Sequence, residues 1–146
     1  MEGQALAVLG LALCMGLCGA GSAIGLYFTG SAAAGVLAEE PKKFSKVLIL
    51  VVLPATQGIY GFVFAILGLN AVYAGMPAEL AGKIFGAAMP IAITGLISGI
   101  YQGKTAVGGI YAVAKNESLS GKLLLFPAMV ETYAILGLVV SILLLQ

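Results

Sequence analysis

The 146-residue sequence has no histidine, tryptophan, arginine or aspartate, and only 9% of its residues are charged. Soluble domains typically carry about 25% charged residues, so this chain cannot cover a water-facing globule. A net charge of +1 gives no broad field for nucleic acid. Without histidine, and with cysteine only at Cys14 and Cys18, neither a structural zinc site nor a disulfide framework is expected. The two cysteines lie four apart in an apolar run, share a helix face and read as small packing residues. Basic residues are missing from the N-terminus too: Glu2 is the only charge before the first apolar run. That run also exceeds the ~7–15 residues of a signal h-region, so it reads as a retained helix.

What the chain does have is hydrophobicity, at 61% of residues. Charges are missing between Glu2 and Glu39, between Lys46 and Glu79, and between Lys83 and Lys104; from Leu123 onward Glu131 is the only one. About 20 apolar residues cross a bilayer as a helix, so the expected fold class is an all-α membrane protein. Its four transmembrane helices run roughly over Ala5–Ala38, Val47–Gly75, Ile84–Ala114 and Leu123–Gln146. Short polar loops at 38–46, 75–83 and 115–122 make consecutive helices antiparallel. The first and third loops hold Lys42, Lys43, Lys46, Lys115 and Lys122, whereas the second holds only Lys83. The positive-inside rule then puts loops 38–46 and 115–122 in the cytoplasm and both termini outside, as for a multi-pass protein of the cell membrane.

The chain resembles itself at a shift of 74 positions. Met15 falls on Met89, Gly21 on Gly95, Gly25 on Gly99, Tyr27 on Tyr101, Ala32 on Ala106 and Gly35 on Gly109. Two tandem hairpins follow, residues 1–75 and 76–146. The same shift lays Gln57 over Glu131, so only the second copy can ionise there. Glycines crowd the first and third helices, where Gly21/Gly25 and Gly95/Gly99/Gly103 form ridges that permit close backbone approach. Slender helices inside and bulky ones outside is the simplest arrangement.

Glu131 is expected to be the one ionisable group deep in the bilayer, with no salt-bridge partner at its depth. A carboxylate there costs roughly 2.5–3.5 kcal/mol on insertion scales, so it must be protonated, bind a cation or meet a positive charge from another chain. Leu53, Thr56, Gln57 and Tyr60 fall at i, i+3, i+4 and i+7 and share a stripe. Pro54 interrupts that helix and frees carbonyl oxygen, and the third helix adds Gln102. Glu131, Gln57, Gln102, Thr56 and a backbone carbonyl are all oxygen donors, the set that hard cations prefer. The stretch from Ser98 to Thr105 approximates a P-loop, but it lacks the first glycine and lies within a membrane helix, so nucleotide binding is rejected. No catalytic constellation is apparent, and the chain is not expected to be an enzyme by itself.

Three segments, LPATQGIYGF (Leu53–Phe62), IYQGKTAVGGIYA (Ile100–Ala112) and PAMVETYAILG (Pro127–Gly137), occur in this order within a duplicated hairpin. Together they resemble the proteolipid (rotor-ring, K or c) subunits of V-type and A-type ATPases, especially the sodium-pumping bacterial branch. The resemblance implies a homo-oligomeric ring in membrane lipid, turned against a stator subunit that supplies an arginine, with a central-stalk subunit at the cytoplasmic loops. It further implies that Glu131 binds Na+ with Gln57, Thr56 and Gln102 as side-chain ligands and the Leu53 carbonyl as another. Tyr60 would hold the site closed by a hydrogen bond to Glu131. A ring carrying H+ alone, a small multidrug exporter and a structural four-helix oligomer are the alternatives. The exporter is disfavoured because such proteins use a glutamate in the first helix, and the structural oligomer leaves the Gln–Thr–Gln–Glu set unexplained.

Overall fold

A computed structural model describes residues 2–146, and it is helical with no strand among them. The helices are α1 (Glu2–Glu39), α2 (Phe44–Val52), α3 (Thr56–Leu69), α4 (Ala78–Lys115) and α5 (Leu125–Leu145). Four stretches are long and apolar enough to cross a membrane: Gly3–Glu39, Pro41–Leu69, Ala78–Lys115 and Lys122–Leu145. At 1.5 Å per residue, α1 and α4 each extend to about 57 Å, well beyond the ~30 Å hydrocarbon layer.

Proline sets the breaks. Pro41 disfavours αR for the residue before it; Glu40 sits at φ −133°, ψ 77°, and the chain reverses in one tight turn. Pro54 separates α2 from α3 through a single 3₁₀ turn, Leu53–Ala55, within one membrane span. Pro77 is extended and α4 starts immediately after it, with Glu79 in its first turn where the helix dipole favours an acid. The preceding turn includes Gly75 at φ +80°, a conformation that a side chain would strain. Inside α4, Pro90 disturbs the ladder locally. Ser141 of α5 accepts from the Ile91 N–H at 3.0 Å, and the Thr94 hydroxyl donates to the Pro90 carbonyl at 2.8 Å.

These boundaries correct the sequence-based ones. The second span ends at Leu69 rather than Gly75, and its helix starts at Phe44 rather than Val47. The helix α4 begins at Ala78, six residues before the expected Ile84, so Lys83 is helical rather than in a loop. A charged residue ends a hydrophobic run, but a helix that leaves the membrane can continue in water.

The helices α1 and α4 lie against one another along their length. A Cβ on Gly10 would meet Phe85, one on Gly21 would meet Gly95 and Leu96, and one on Gly25 would meet Gly99. Both numbers rise together, so the two long helices are parallel. The α2–α3 span flanks α1, α5 flanks α4, and α3 and α5 also touch. Bulky side chains such as Phe62, Ile66, Phe126, Leu136 and Leu143 cover the outer faces.

The interior has three layers. One apolar cluster gathers Leu11, Cys14, Cys18, Phe64, Ile84 and Ile91 toward the chain termini. Another gathers Val36, Val47, Leu50, Ala106, Ile110 and Val113 toward the first and third turns. Between them lies a buried polar layer of Ser22, Gln57, Ser98 and Gln102. Cys14 and Cys18 are free and buried. Cys18 occupies space that Gly61 and Gly95 leave open, so its role is packing. At the far end Lys43 is buried; it pairs with Glu40 at 2.6 Å and donates to the Ala114 carbonyl, which places a cation at the C-terminus of α4.

Candidate ion site at mid-membrane

Three helices converge on the polar layer. Gln57 and Tyr60 stand three apart on α3, Ser98 and Gln102 four apart on α4, and Pro127, Val130 and Glu131 within four on α5, so each helix presents one face. Glycine brings the helices this close. A Cβ on Gly99 would lie 2.6 Å from the Gly21 carbonyl carbon, and one on Gly25 would lie 2.6 Å from Pro54 Cβ. The helix α1 also supplies Ser22, whose Oγ accepts from the Gly58 N–H at 2.8 Å and steadies the start of α3 beyond Pro54.

Glu131 is half-buried, and two neutral donors reach its carboxylate. Tyr60 donates to Oε1 at 2.6 Å, and Gln102 Nε2 donates to Oε2 at 3.1 Å. Gln102 Nε2 also donates to the Pro127 carbonyl at 3.2 Å. Its Oε1 accepts from Gln57 Nε2 at 2.6 Å, and Gln57 Nε2 further donates to Ser98 Oγ at 3.0 Å. Ser98 in turn donates to the Val130 carbonyl at 3.1 Å. Gln57 and Gln102 are wholly buried, and one atom of the network is left over: Gln57 Oε1, buried and without a hydrogen-bond partner among the described residues.

Four of the six expected site residues, Glu131, Tyr60, Gln102 and Gln57, are thus joined by hydrogen bonds. Thr56 and Leu53 are joined to each other in the turn just before, the Thr56 hydroxyl donating to the Leu53 carbonyl at 3.1 Å. Neither hydrogen-bonds to Glu131 among the described residues. Ser98 is the member that sequence reasoning missed. Its signal is its place one turn before Gln102, in the stretch that approximates a P-loop.

Lys104 lies two residues beyond Gln102 on α4, exposed, with its Nζ 5.6 Å from the Phe28 ring centroid and 5.2 Å from that of Tyr101. Cation–π contact of about 0.5–2 kcal/mol offsets part of the cost of a cation in this setting. It makes no ion pair with Glu131 among the described residues. No group of three or more acidic, histidine or cysteine side chains occurs among the described residues, so one carboxylate with neutral oxygens is the available chemistry.

Comparison with known proteins agrees with this architecture. The C-subunit family of ATP synthase matches twice, over residues 9–68 and 85–144, once in each half. The K subunit of the V-type sodium ATPase of Enterococcus hirae is 48% identical over 142 residues, covering 97% of this chain and 91% of that protein. The K subunit of the A-type ATP synthase of Methanocaldococcus jannaschii is 42% identical over 140 residues, 96% of this chain and 61% of its own length. The 16 kDa proteolipid of the human V-type proton ATPase is 26% identical over 138 residues, 94% of this chain and 89% of that protein. The doubled match and the near full-length identity establish that this multi-pass membrane chain belongs to the C-subunit family of ATP synthase, as a proteolipid rotor subunit of the V-type ATPase kind.

Proposed function

We propose that this chain, as one copy in a homo-oligomeric ring, carries Na+ across the membrane on Glu131 as the ring turns. The observation that carries the reading is the buried Gln57 Oε1 without a donor, in a network that ends on the carboxylate of Glu131. An unmet carbonyl oxygen in the interior costs about 1–3 kcal/mol; a cation satisfies it, whereas a proton on Glu131 does not. The E. hirae relative named as a sodium ATPase subunit supports the same choice.

In this reading Glu131 supplies the charge, Gln57 Oε1 an unshared neutral oxygen, and the Thr56 hydroxyl, Leu53 carbonyl and Gln102 Oε1 the remaining oxygens. Tyr60 holds the carboxylate in place from the side of α3. Neutralised by its ion, the site passes lipid at modest cost. A stator arginine then competes for the carboxylate and releases the ion. Each charge moved against 100 mV requires about 2.3 kcal/mol, which the ATP-hydrolysing partner supplies. Residues 1–75 and 76–146 act as two hairpins of unequal role, the first lending Gln57, Thr56, Leu53 and Tyr60 and the second holding the charge. The lysines of 38–46 and 115–122 put those turns in the cytoplasm against the central stalk, and both termini outside.

Dicyclohexylcarbodiimide modifies a protonated carboxyl in an apolar setting. Labelling of Glu131 in the purified ring, with and without sodium across pH, tests the proposal. Sodium at fixed pH should protect Glu131. Protection by rising pH alone, with no response to sodium, would make the ring a proton carrier.

A further inference from the structure

We propose that Ser98 is the positioning residue that fixes which atom of the Gln57 amide faces the ion, and so sets the preference of the site for Na+ over a proton. This rests on the sodium reading above and names a determinant within it.

The argument is one of hydrogen-bond direction. A backbone carbonyl only accepts, and the chain of bonds is anchored on two of them. Ser98 gives its single hydroxyl proton to the Val130 carbonyl at 3.1 Å, so towards Gln57, 3.0 Å away, it offers only a lone pair. Gln102 gives its amide protons to the Pro127 carbonyl and to Glu131 Oε2; towards Gln57 it therefore offers only Oε1, at 2.6 Å. Gln57 thus faces two acceptors and must present Nε2 to both. Both of its amide protons are used, and Oε1 is the atom left without a hydrogen-bond partner among the described residues. The opposite orientation would set a carbonyl oxygen against two acceptors inside a layer where Gln57 is 0% and Ser98 3% exposed.

The Gln102 arm is held by the carboxylate itself and changes when an ion occupies Glu131. The Ser98 arm is anchored on backbone and does not. Ser98 therefore keeps Gln57 Oε1 available as an ion ligand whatever the state of Glu131. A proton on Glu131 gains nothing from that orientation, because Gln57 makes no hydrogen bond to Glu131 among the described residues. The consequence is selective: losing the Ser98 hydroxyl should weaken sodium and leave proton binding alone.

The test uses purified rings and carbodiimide labelling of Glu131, read in two titrations: sodium at fixed pH, and pH without sodium. Ser98→Ala should raise the half-protecting sodium concentration roughly tenfold, the scale of one hydrogen bond, and leave the sodium-free pH profile unchanged. Ser98→Cys fills a similar volume but accepts poorly, so it should behave like Ser98→Ala; it also answers the question if the alanine ring does not assemble. Unchanged sodium protection in both variants overturns the proposal. A pH profile that moves along with the sodium titration overturns it too, since that marks general disturbance of Glu131. If sodium fails to protect the unsubstituted ring, the sodium reading itself has failed, an outcome separate from either of these.

Discussion

Tyr60 and Gln102 donate to different oxygens of Glu131, and the Tyr60 bond is the shorter at 2.6 Å. Hydrogen bonds to charged groups contribute about 1.5–3 kcal/mol, and Tyr60→Phe removes this one while keeping the ring in place. Sodium binding should weaken by roughly tenfold or more, measured by titrating sodium protection of Glu131 or by the dissociation rate of radioactive sodium from the ring. The sodium-free pH profile should change as well, because Tyr60 serves the carboxylate itself; that separates it from Ser98. An unchanged sodium dissociation rate would remove Tyr60 from the site. At this scale the sequence is informative where a residue is out of place in lipid. Glu131, Gln57, Gln102 and Tyr60 stand out because each must find partners in an apolar run. Ser98 does not, because a helical serine can satisfy its hydroxyl on its own preceding turn, and only the tertiary structure shows it bonded across to α5.

Among the helices, the contact of α1 with α4 rests on glycine. A Cβ on Gly99 would fall 2.6 Å from Gly21 C and 2.9 Å from Gly21 O, which are backbone atoms that cannot rotate aside. A Cβ on Gly108, nine residues along the same helix, would meet nothing within 4 Å in the single chain. Gly99→Ala should therefore force the helices apart and cost about 1–3 kcal/mol as overpacking. Gly108→Ala should be neutral, or stabilising by about 0.5–1 kcal/mol as an ordinary helix substitution. Thermal unfolding of the detergent-solubilised protein distinguishes them, and equal effects would refute the close-contact account. The glycine ridges and the number of spans are legible in sequence because both are patterns along one chain. The helix ends are less so. Lys46 and Lys83 close hydrophobic runs yet lie inside α2 and α4, since charge marks a polar environment, whereas Pro41, Gly75 and Pro77 mark changes of backbone direction.

For the molecule as a whole, duplication would suggest two ion sites, one at Gln57 and one at Glu131, with the first merely disabled. The geometry argues otherwise. Gln57 reaches the network of the second hairpin through Ser98 and Gln102, so the two equivalent positions serve one polar layer. Restoring a carboxylate at the first position should then crowd the existing site rather than create another. In Gln57→Glu, the new side chain would face Gln102 Oε1 and the lone pair of Ser98, in the same network that ends on Glu131. Two acidic groups linked through one amide cannot both ionise cheaply in a low-dielectric layer, so one of them should keep a proton. The ring should still bind one sodium per chain, and more weakly, because the Gln57 carbonyl oxygen has been replaced by an acid that retains its proton. Counting bound sodium per chain with radioactive sodium, together with carbodiimide adducts per chain by mass spectrometry, decides the matter. One sodium per chain keeps the two hairpins as halves of a single site. Two independent sodium ions per chain would mean that each hairpin is a complete carrier and that the convergence of Gln57 on Glu131 has no functional weight.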